Sequence, residues 1–409
     1  MDSHLSRRHF LAGAGILAAV PPRPARAATG GLKITKFVTH KATIGRRAFL
    51  FLEIHTDKGI TGLGEASLPD RVDIVEQAVH WLGDRMTGID PAGIEEHWDS
   101  MYYRMSRWRA GSVLMTALSA VDIALWDIEG KRLGVPVWRL LGGPIHSKLR
   151  VYYSHWDSYM NSRNVEDYER LAVRTREQGW TAVKWIVAQA RTDAERIEKT
   201  EMQLAAVRKA VGRSLDVGLE LVERFSVRSA IEFGRAIAKY HPMFIEEPTL
   251  REDPQGLAEV AANSPVPVAT GEGLLSRWEF RPLLDAKGAA IIQPDVIHCG
   301  GITEMRKIAN LAETYGVEVA PHQWYGPVAH IASIQSICVC RNFLMQEWDG
   351  ANDETFLELT KGTYPVQKDG YVTLPQGPGL GLQMDFDLLA KKHPYTKRTV
   401  TPESLRRPG

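Results

Sequence analysis

The chain has 409 residues, with 50 basic and 49 acidic side chains and a formal net charge of +1. So even a balance creates no long-range field to gather a polyanion, and no basic run interrupts it, which argues against a dedicated nucleic-acid binder. At 44% hydrophobic and 24% charged residues, the chain can bury a large core, and its length allows two or three domains or one barrel with an attachment.

Residues 1–27 read as a targeting segment. Ser6-Arg7-Arg8-His9-Phe10-Leu11 precedes the apolar stretch Leu11–Val20, followed by Ala25-Arg26-Ala27. A charged start, a short apolar run and a small-x-small site describe an export signal. The paired arginines are those of the twin-arginine type, which a receptor reads and which carries folded proteins to the periplasm. Phe10–Val20 is too short to span a bilayer. Cleavage after Ala27 would leave a mature chain with no membrane association.

Residues 28–145 form an expected α+β capping domain. Leu32–His40 and Phe49–Thr56 are rich in Ile, Val, Phe and Thr and read as strands, with Asp57-Lys58-Gly59 as a turn. In Ser112–Arg132 the apolar set Val113, Leu114, Ala117, Val121, Ala124, Leu125 and Ile128 recurs at three- and four-residue steps. That is helical spacing, ended by Gly134 and Pro136.

Residues 146–350 change texture. Eight short apolar runs appear: Leu149–Ser154, Ala182–Val187, Val217–Val222, Met243–Glu247, Val266–Thr270, Ala289–Gln293, Val317–Pro321 and Phe343–Glu347. Between them lie amphipathic segments such as Val165–Gln178, Ala194–Val211, Val227–Ala238 and Thr303–Tyr315. Eight strand–helix alternations predict a parallel sheet closed into a barrel. A doubly wound open sheet is the alternative, weakened by the lack of Gly-x-Gly-x-x-Gly after an early strand. Residues 351–409 carry no ninth unit and are expected to pack back on the capping domain. Cys338 and Cys340 are two apart on an expected helix, so their side chains diverge. With Cys299 remote, free and mostly buried thiols are expected.

The carboxyl ends of the strands build the active site of a parallel barrel. Here those ends carry Lys184, Glu220, Glu246, Glu272, Asp295, His322 and Glu347. From Glu220 the intervals are 26, 26, 23, 27 and 25 residues, each close to one strand–helix repeat. Glu220, Glu246 and Glu272 would converge on one side of the mouth. Three crowded carboxylates cannot all stay ionised without a cation, and one Mg²⁺ suits an all-oxygen set. Asp295 and His322 fall on neighbouring strands. The carboxylate can there orient one imidazole nitrogen and leave the other for proton transfer.

At this point the sequence resembles the enolase superfamily, in particular the mandelate racemase and muconate lactonizing enzyme group. The resemblance covers nearly all of the mature chain. Its most specific stretches are Ala117–Gly143 (ALSAVDIALWDIEGKRLGVPVWRLLGG), Phe244–Pro248 (FIEEP), Ala269–Glu272 (ATGE), Gln293–Gly301 (QPDVIHCGG) and Val319–Pro327 (VAPHQWYGP). It implies a modified (β/α)₇β barrel with an α+β cap, and Mg²⁺-assisted removal of the proton α to a carboxylate. It implies Glu246 and Glu272 as metal ligands, with Glu220 where the family has Asp. Lys184 matches the position that polarises the substrate carboxylate, and His322, Asp295 and Glu347 match the opposite face. Ile186 and Val222 stand where other members carry a base or ligand.

Those losses bear on the reaction. Racemisation needs proton transfer on both faces of the α-carbon, and only His322 is secure. Dehydration needs one base and one acid, which a single His can supply on one face; Lys184 is a rival base if its pKa is lowered. Gly300–Pro327 and Arg109-Ala110-Gly111 most resemble galactonate-dehydratase-like members. The expected protein is therefore an acid-sugar dehydratase with a small-molecule carboxylate substrate, and a homo-oligomer. The alternatives are a racemase, epimerase or cycloisomerase, or a non-catalytic exported acid-sugar binder. Arg46, Arg47, Arg107, Trp108 and Arg109 of the cap are candidates for contacting the ligand. Tyr152, Tyr153, His155 and Trp156 lie near the first barrel strand, with His155 the best placed of the four.

Overall fold

The computed structural model describes residues 31–397 except 106, 108, 159 and 161–163. Arg7, Arg8, the rest of the expected export signal and Trp108 lie outside the described residues. Among the described residues no helix is long and apolar enough to cross a membrane.

A three-stranded antiparallel sheet comes first, in the order β1 (Ile34–Ile44), β2 (Arg47–Thr56) and β3 (Thr61–Glu65). The expected turn at Asp57-Lys58-Gly59 joins β2 to β3, with Gly59 at φ 77. β3 carries no β-branched signal because alternate positions are glycine. A Cβ at Gly62 would stand 2.2 Å from Ala124 O, and one at Gly64 the same distance from Ala120 O. Helix Ser112–Leu133 therefore lies directly on this strand, in a close approach only glycine permits. That helix is buried on nearly every face, as expected of one apolar all round. Its other side meets the barrel: Trp126 Nε1 donates to Thr303 Oγ1 at 2.9 Å, and Asp122 Oδ2 accepts from Thr303 N at 3.0 Å.

Among the described residues eight parallel strands follow: β4 (Lys148–Ser154), β5 (Ala182–Ile186), β6 (Asp216–Glu220), β7 (Phe244–Glu246), β8 (Val268–Thr270), β9 (Ile291–Ile292), β10 (Glu318–Val319) and β11 (Gln346–Trp348). Each pairs with the next from β4 to β10, and β11 returns to β4 through Gln346↔Val151 and Glu347↔Tyr152. A parallel bridge between Val319 and Phe343 joins β10 to the approach of β11. The ring is closed. Seven helices connect the strands, Val165–Glu177, Asp193–Val211, Val227–Ile237, Pro254–Asn263, Arg277–Asp285, Gly301–Thr314 and Pro327–Ile337, which is the expected (β/α)₇β barrel. Four of them begin where a short polar side chain, Asn164, Thr192, Ser226 or Asp253, accepts from an N–H of the first turn. Such caps satisfy donors that have no partner within the helix.

Side chains alternate across a strand. Tyr152, Ala182, Phe244, Ala269, Ile291, Ala320 and Met345 form one cluster that fills the barrel. Two residues further along their strands, on the same inward face, stand Lys184, Glu246, His322 and Glu347. After residue 350 the chain returns to both parts. β12 (Tyr371–Thr373) pairs antiparallel with the start of β4, and the ring of Phe386 stacks on His40 of β1 at 3.8 Å. Cys299, Cys338 and Cys340 are free and buried.

Candidate active site

Glu220 and Glu246 end β6 and β7 and face each other in register. Glu272 follows β8 after Gly271, whose φ is 121 and where a Cβ would meet the Phe280 ring at 2.6 Å. One carboxylate oxygen from each of the three lies within 4.8 Å of the others. Burial, followed by the charge of Glu246, pushes Glu220 well above the usual carboxylate range, and burial raises Glu272 as well. Three converging oxygen donors that repel one another are the ligand chemistry of a hard divalent cation. The residues present fit that group. Glutamate at position 220 is accommodated by the backbone: its Oε1 accepts from Val222 N at 2.6 Å. Val222 and Glu223 both adopt left-handed conformations, at φ 51 and φ 55, which is unusual for a β-branched residue. Val222 has no side-chain group to offer, yet its main chain supports the triad.

Lys184 is fully buried among these acids. Its Nζ pairs with Glu246, with Glu347 Oε1 at 3.0 Å and with Glu220 Oε2 at 3.7 Å. Burial alone would lower its pKa, but Glu246 and Glu347 more than offset this and hold it well above the ordinary value. The surrounding carboxylates thus favour the charged form of Lys184. Glu347 Oε1 also accepts from Ser154 Oγ, and its Oε2 accepts from Gln323 N at 2.9 Å. Burial opposes ionisation of Glu347, yet Lys184 and His322 bring its pKa down to about 2.

Across the mouth His322 Nδ1 lies 2.6 Å from Asp295 Oδ2, and Asp295 Oδ1 accepts from Ile297 N at 2.9 Å. The free nitrogen of His322, Nε2, stands 3.4 Å from Glu272 Oε2 and 3.8 Å from Glu347 Oε2. Burial would lower the imidazole pKa, but Glu272, Glu347 and Asp295 raise it to about 10. The strand-end residues from Glu220 to Glu347, whose spacing matches one strand–helix repeat, thus lie together, with Lys184 among them.

Two neighbours escaped sequence reasoning. Ser154 ends β4, and Gln293, which donates to Glu246 Oε2, directly follows β9. They carry no charge, and only their position at the strand ends marks them.

The cap candidates divide. Arg47 donates from Nη1 to Trp324 O at 2.8 Å, pairs with Asp349 and lies 4.9 Å over the Trp324 ring. It ties the cap hairpin to the barrel loops. Arg46, Arg47, Phe49, Pro69, Trp324 and Tyr325 line a cavity of about 200 Å³ at that junction. Arg107 and Arg109 are exposed, and Arg109 lies 5.1 Å over the Tyr103 ring. Tyr152 fills the barrel, Tyr153 stacks on Trp180 at 4.8 Å, and Trp156 packs with Tyr168 and Trp185, so these three serve the core. His155 differs. Its Nδ1 lies 2.7 Å from Ser154 Oγ and its ring 4.9 Å from that of Trp324.

Comparison with known proteins agrees with this architecture. The N-terminal domain family of mandelate racemase and muconate lactonizing enzyme matches residues 27–142, and the enolase C-terminal domain-like family matches residues 167–388. The chain is 38% identical over 364 residues to a protein named D-galactonate dehydratase from Variovorax paradoxus, covering 87% of this chain and 92% of that one. It is 36% identical over 370 residues to another of that name from Xanthomonas oryzae pv. oryzae, covering 88% and 94%. The crystal structure of a mandelate racemase/muconate lactonizing enzyme from Sulfitobacter sp. superposes with a TM-score of 0.82 at 31% identity, covering 90% of this chain and 96% of that one. A closed (β/α)₇β barrel, a cap sheet laid on a buried helix and matches over both halves lead to one conclusion: the chain is an enzyme of the mandelate racemase/muconate lactonizing enzyme family, within the enolase superfamily.

Proposed function

We propose that this enzyme is a hydro-lyase that dehydrates an acid sugar, with D-galactonate, the substrate named for its relatives, as the first candidate. One observation carries the reading. Among the described strand-end residues the one imidazole oriented by a carboxylate is His322, paired with Asp295, while Ile186 and Val222 offer no group for proton transfer on the opposite face. A one-base site suits elimination on one face better than two-faced racemisation.

In this reading the substrate carboxylate lies between Lys184 and the acid triad. With Glu272, whose charge is the largest of those that raise the imidazole pKa, offset by a cation, the ring is released to its neutral form. His322 Nε2 then takes the α-proton while Asp295 holds Nδ1–H and keeps the ring oriented. The electron pair left behind delocalises into the carboxylate, then forms the carbon–carbon double bond as the β-carbon–oxygen bond breaks. His322 returns its proton to the departing hydroxyl, so that water leaves and the resulting enol becomes a 2-keto acid. Lys184 supplies a fixed positive charge close to the carboxylate. One Mg²⁺ held by Glu220, Glu246 and Glu272 would supply further charge, offsetting those acids and stabilising the developing negative charge on the substrate.

The test is incubation with Mg²⁺ and a panel of aldonates, assayed for 2-keto acid. D-Galactonate or a close stereoisomer should give keto product. An enzyme that only inverted a carbon or exchanged its α-proton, with no loss of water from any acid, would sink the reading. We further propose that residues 1–27 direct export to the periplasm, a reading that rests on Arg7-Arg8 and the Ala25-Arg26-Ala27 site.

A further inference from the structure

Hydrogen-bond accounting at the end of β4 leads one step further. Glu347 meets donors at both oxygens, Lys184 Nζ and Ser154 Oγ at Oε1 and Gln323 N at Oε2. It therefore acts as an acceptor only. A serine hydroxyl has one proton, and Ser154 gives it to Glu347. The oxygen of Ser154 must then accept in its other contact, 2.7 Å from His155 Nδ1, so the ring proton of His155 sits on Nδ1. Burial, and then the nearby ammonium of Lys184, lower the pKa of His155 to about 4. The ring is neutral, and its Nε2 presents a bare lone pair with no partner among the described residues.

The placement of this ring is constrained. His155 takes a left-handed backbone at φ 52, a conformation that a non-glycine residue keeps only when its surroundings enforce it. Its face rests on Trp324, which Arg47 of the cap contacts from Nη1 and from its guanidinium plane. Ser154 holds one edge and Trp324 the face, Nε2 is left over, and the ring lies near enough to Lys184, Glu347 and His322 to feel their charges.

We infer that His155 is a specificity-determining residue that accepts a hydrogen bond from a substrate hydroxyl beyond the reacting carbons, so that the site selects polyhydroxy acids over acids with a plain alkyl chain. This rests on the dehydratase reading for its substrate class. A neutral imidazole acceptor cannot pair with an alkyl group and repels a carboxylate, whereas a sugar hydroxyl is a donor that satisfies it.

The experiment measures equilibrium binding by calorimetry to the full Mg²⁺-loaded chain, every protein compared, wild type included, carrying His322→Asn so that no ligand is consumed. The probes are D-galactonate and 2-hydroxybutyrate, which keeps the carboxylate and α-hydroxyl and lacks the rest. Wild type should prefer D-galactonate. His155→Phe keeps a ring against Trp324 and loses the acceptor; it should bind D-galactonate about 5- to 100-fold more weakly and 2-hydroxybutyrate unchanged. His155→Asn, with an amide oxygen, should recover part of the preference. Equal losses on both ligands, or on neither, overturn the assignment. So does a wild type that shows no preference or binds neither acid, a measurement that stands even where a variant fails to fold. Binding with the expected pattern but no keto product from the enzyme with His322 intact would overturn the dehydratase reading and leave the role of His155 intact.

Discussion

Asp295 holds His322 from one side only: its Oδ2 lies 2.6 Å from Nδ1, while its Oδ1 is occupied by the N–H of Ile297. The pair therefore has one arrangement, with Nε2 as the working nitrogen. His322→Asn should lower turnover by about 10²–10⁴-fold or more, the range for loss of general acid–base catalysis. Asp295→Asn should cost less, because the ring remains and only its orientation and tautomer suffer. In deuterated solvent, α-proton exchange and water loss should vanish together in His322→Asn. Exchange that persisted without elimination would transfer the role of base to another residue.

The acid triad yields a second expectation. Glu246→Gln removes a carboxylate that is fully buried between Glu220 and Lys184. Turnover should fall by about 10²-fold or more, since metal charge is worth several kcal/mol in such steps. Circular dichroism should remain that of the wild type, and Mg²⁺ titration should show weakened binding. Full activity in the variant after chelation would remove the metal from the proposed site.

Lys184 has a role independent of turnover. Its ammonium is the positive charge among three buried acids. Lys184→Met leaves them uncompensated, and breaking a buried pair from one side costs about 3–5 kcal/mol. In chelator the variant should melt well below wild type, and Mg²⁺ should restore more stability to it than to wild type. Equal melting temperatures in chelator would contradict this.

Two buried carboxyls outside the site give a pH signature. Glu65 accepts from Ser67 Oγ, Gly326 N and Ala329 N, and Asp122 accepts from Thr303 N. Burial nevertheless raises both to about 7. The folded state thus holds protons that the unfolded chain releases near its ordinary carboxylate values. Their contribution to stability is complete below those values, declines as pH rises, and is gone above pH 7. Each should account for up to about 1.4 kcal/mol per pH unit across that window. Urea midpoints at pH 5, 6 and 7 should fall less steeply in Glu65→Gln and Asp122→Asn than in wild type; identical slopes would refute the assignment.

Export is testable without the enzyme assay. Arg7→Lys with Arg8→Lys keeps the charge and removes the paired guanidinium groups that the receptor reads. The double variant should accumulate as an uncleaved precursor inside the cell, and normal export would exclude the twin-arginine route.

Much of the barrel and most of its ring were legible in the sequence because apolar strand runs ending in ionisable residues repeat at one spacing. Glu220, Glu246, Glu272, Asp295, His322 and Glu347 follow from that phase, whereas Lys184, 36 residues before Glu220, follows only from its place in an apolar strand run. What escaped has no such phase. β3 hides behind Gly62 and Gly64, whose purpose is the approach of a helix far along the chain. Ser154 is a small polar residue with no pattern of its own. The support that Val222 gives Glu220 comes from its N–H, which every residue but proline possesses. Arg47 looked like a ligand contact because nothing in its neighbourhood announces Asp349, its partner across the cap–barrel junction.

The pairing of β4 with β11 and β12 has a consequence for how the enzyme comes into being. Val151 waits for Gln346, and Leu149 for Val372, so the first barrel strand is made early and gains these two neighbours only when synthesis is nearly over. Until then it presents an open sheet edge, a template for pairing with other chains. Contacts of such long sequence separation also form slowly. Ser154 lies at the end of that same strand and cannot meet Glu347 before the ring closes. The Ser154–Glu347 contact of the active site therefore cannot form before the last barrel strand has been made, and a nascent chain that stalls before residue 343 lacks that side of the site.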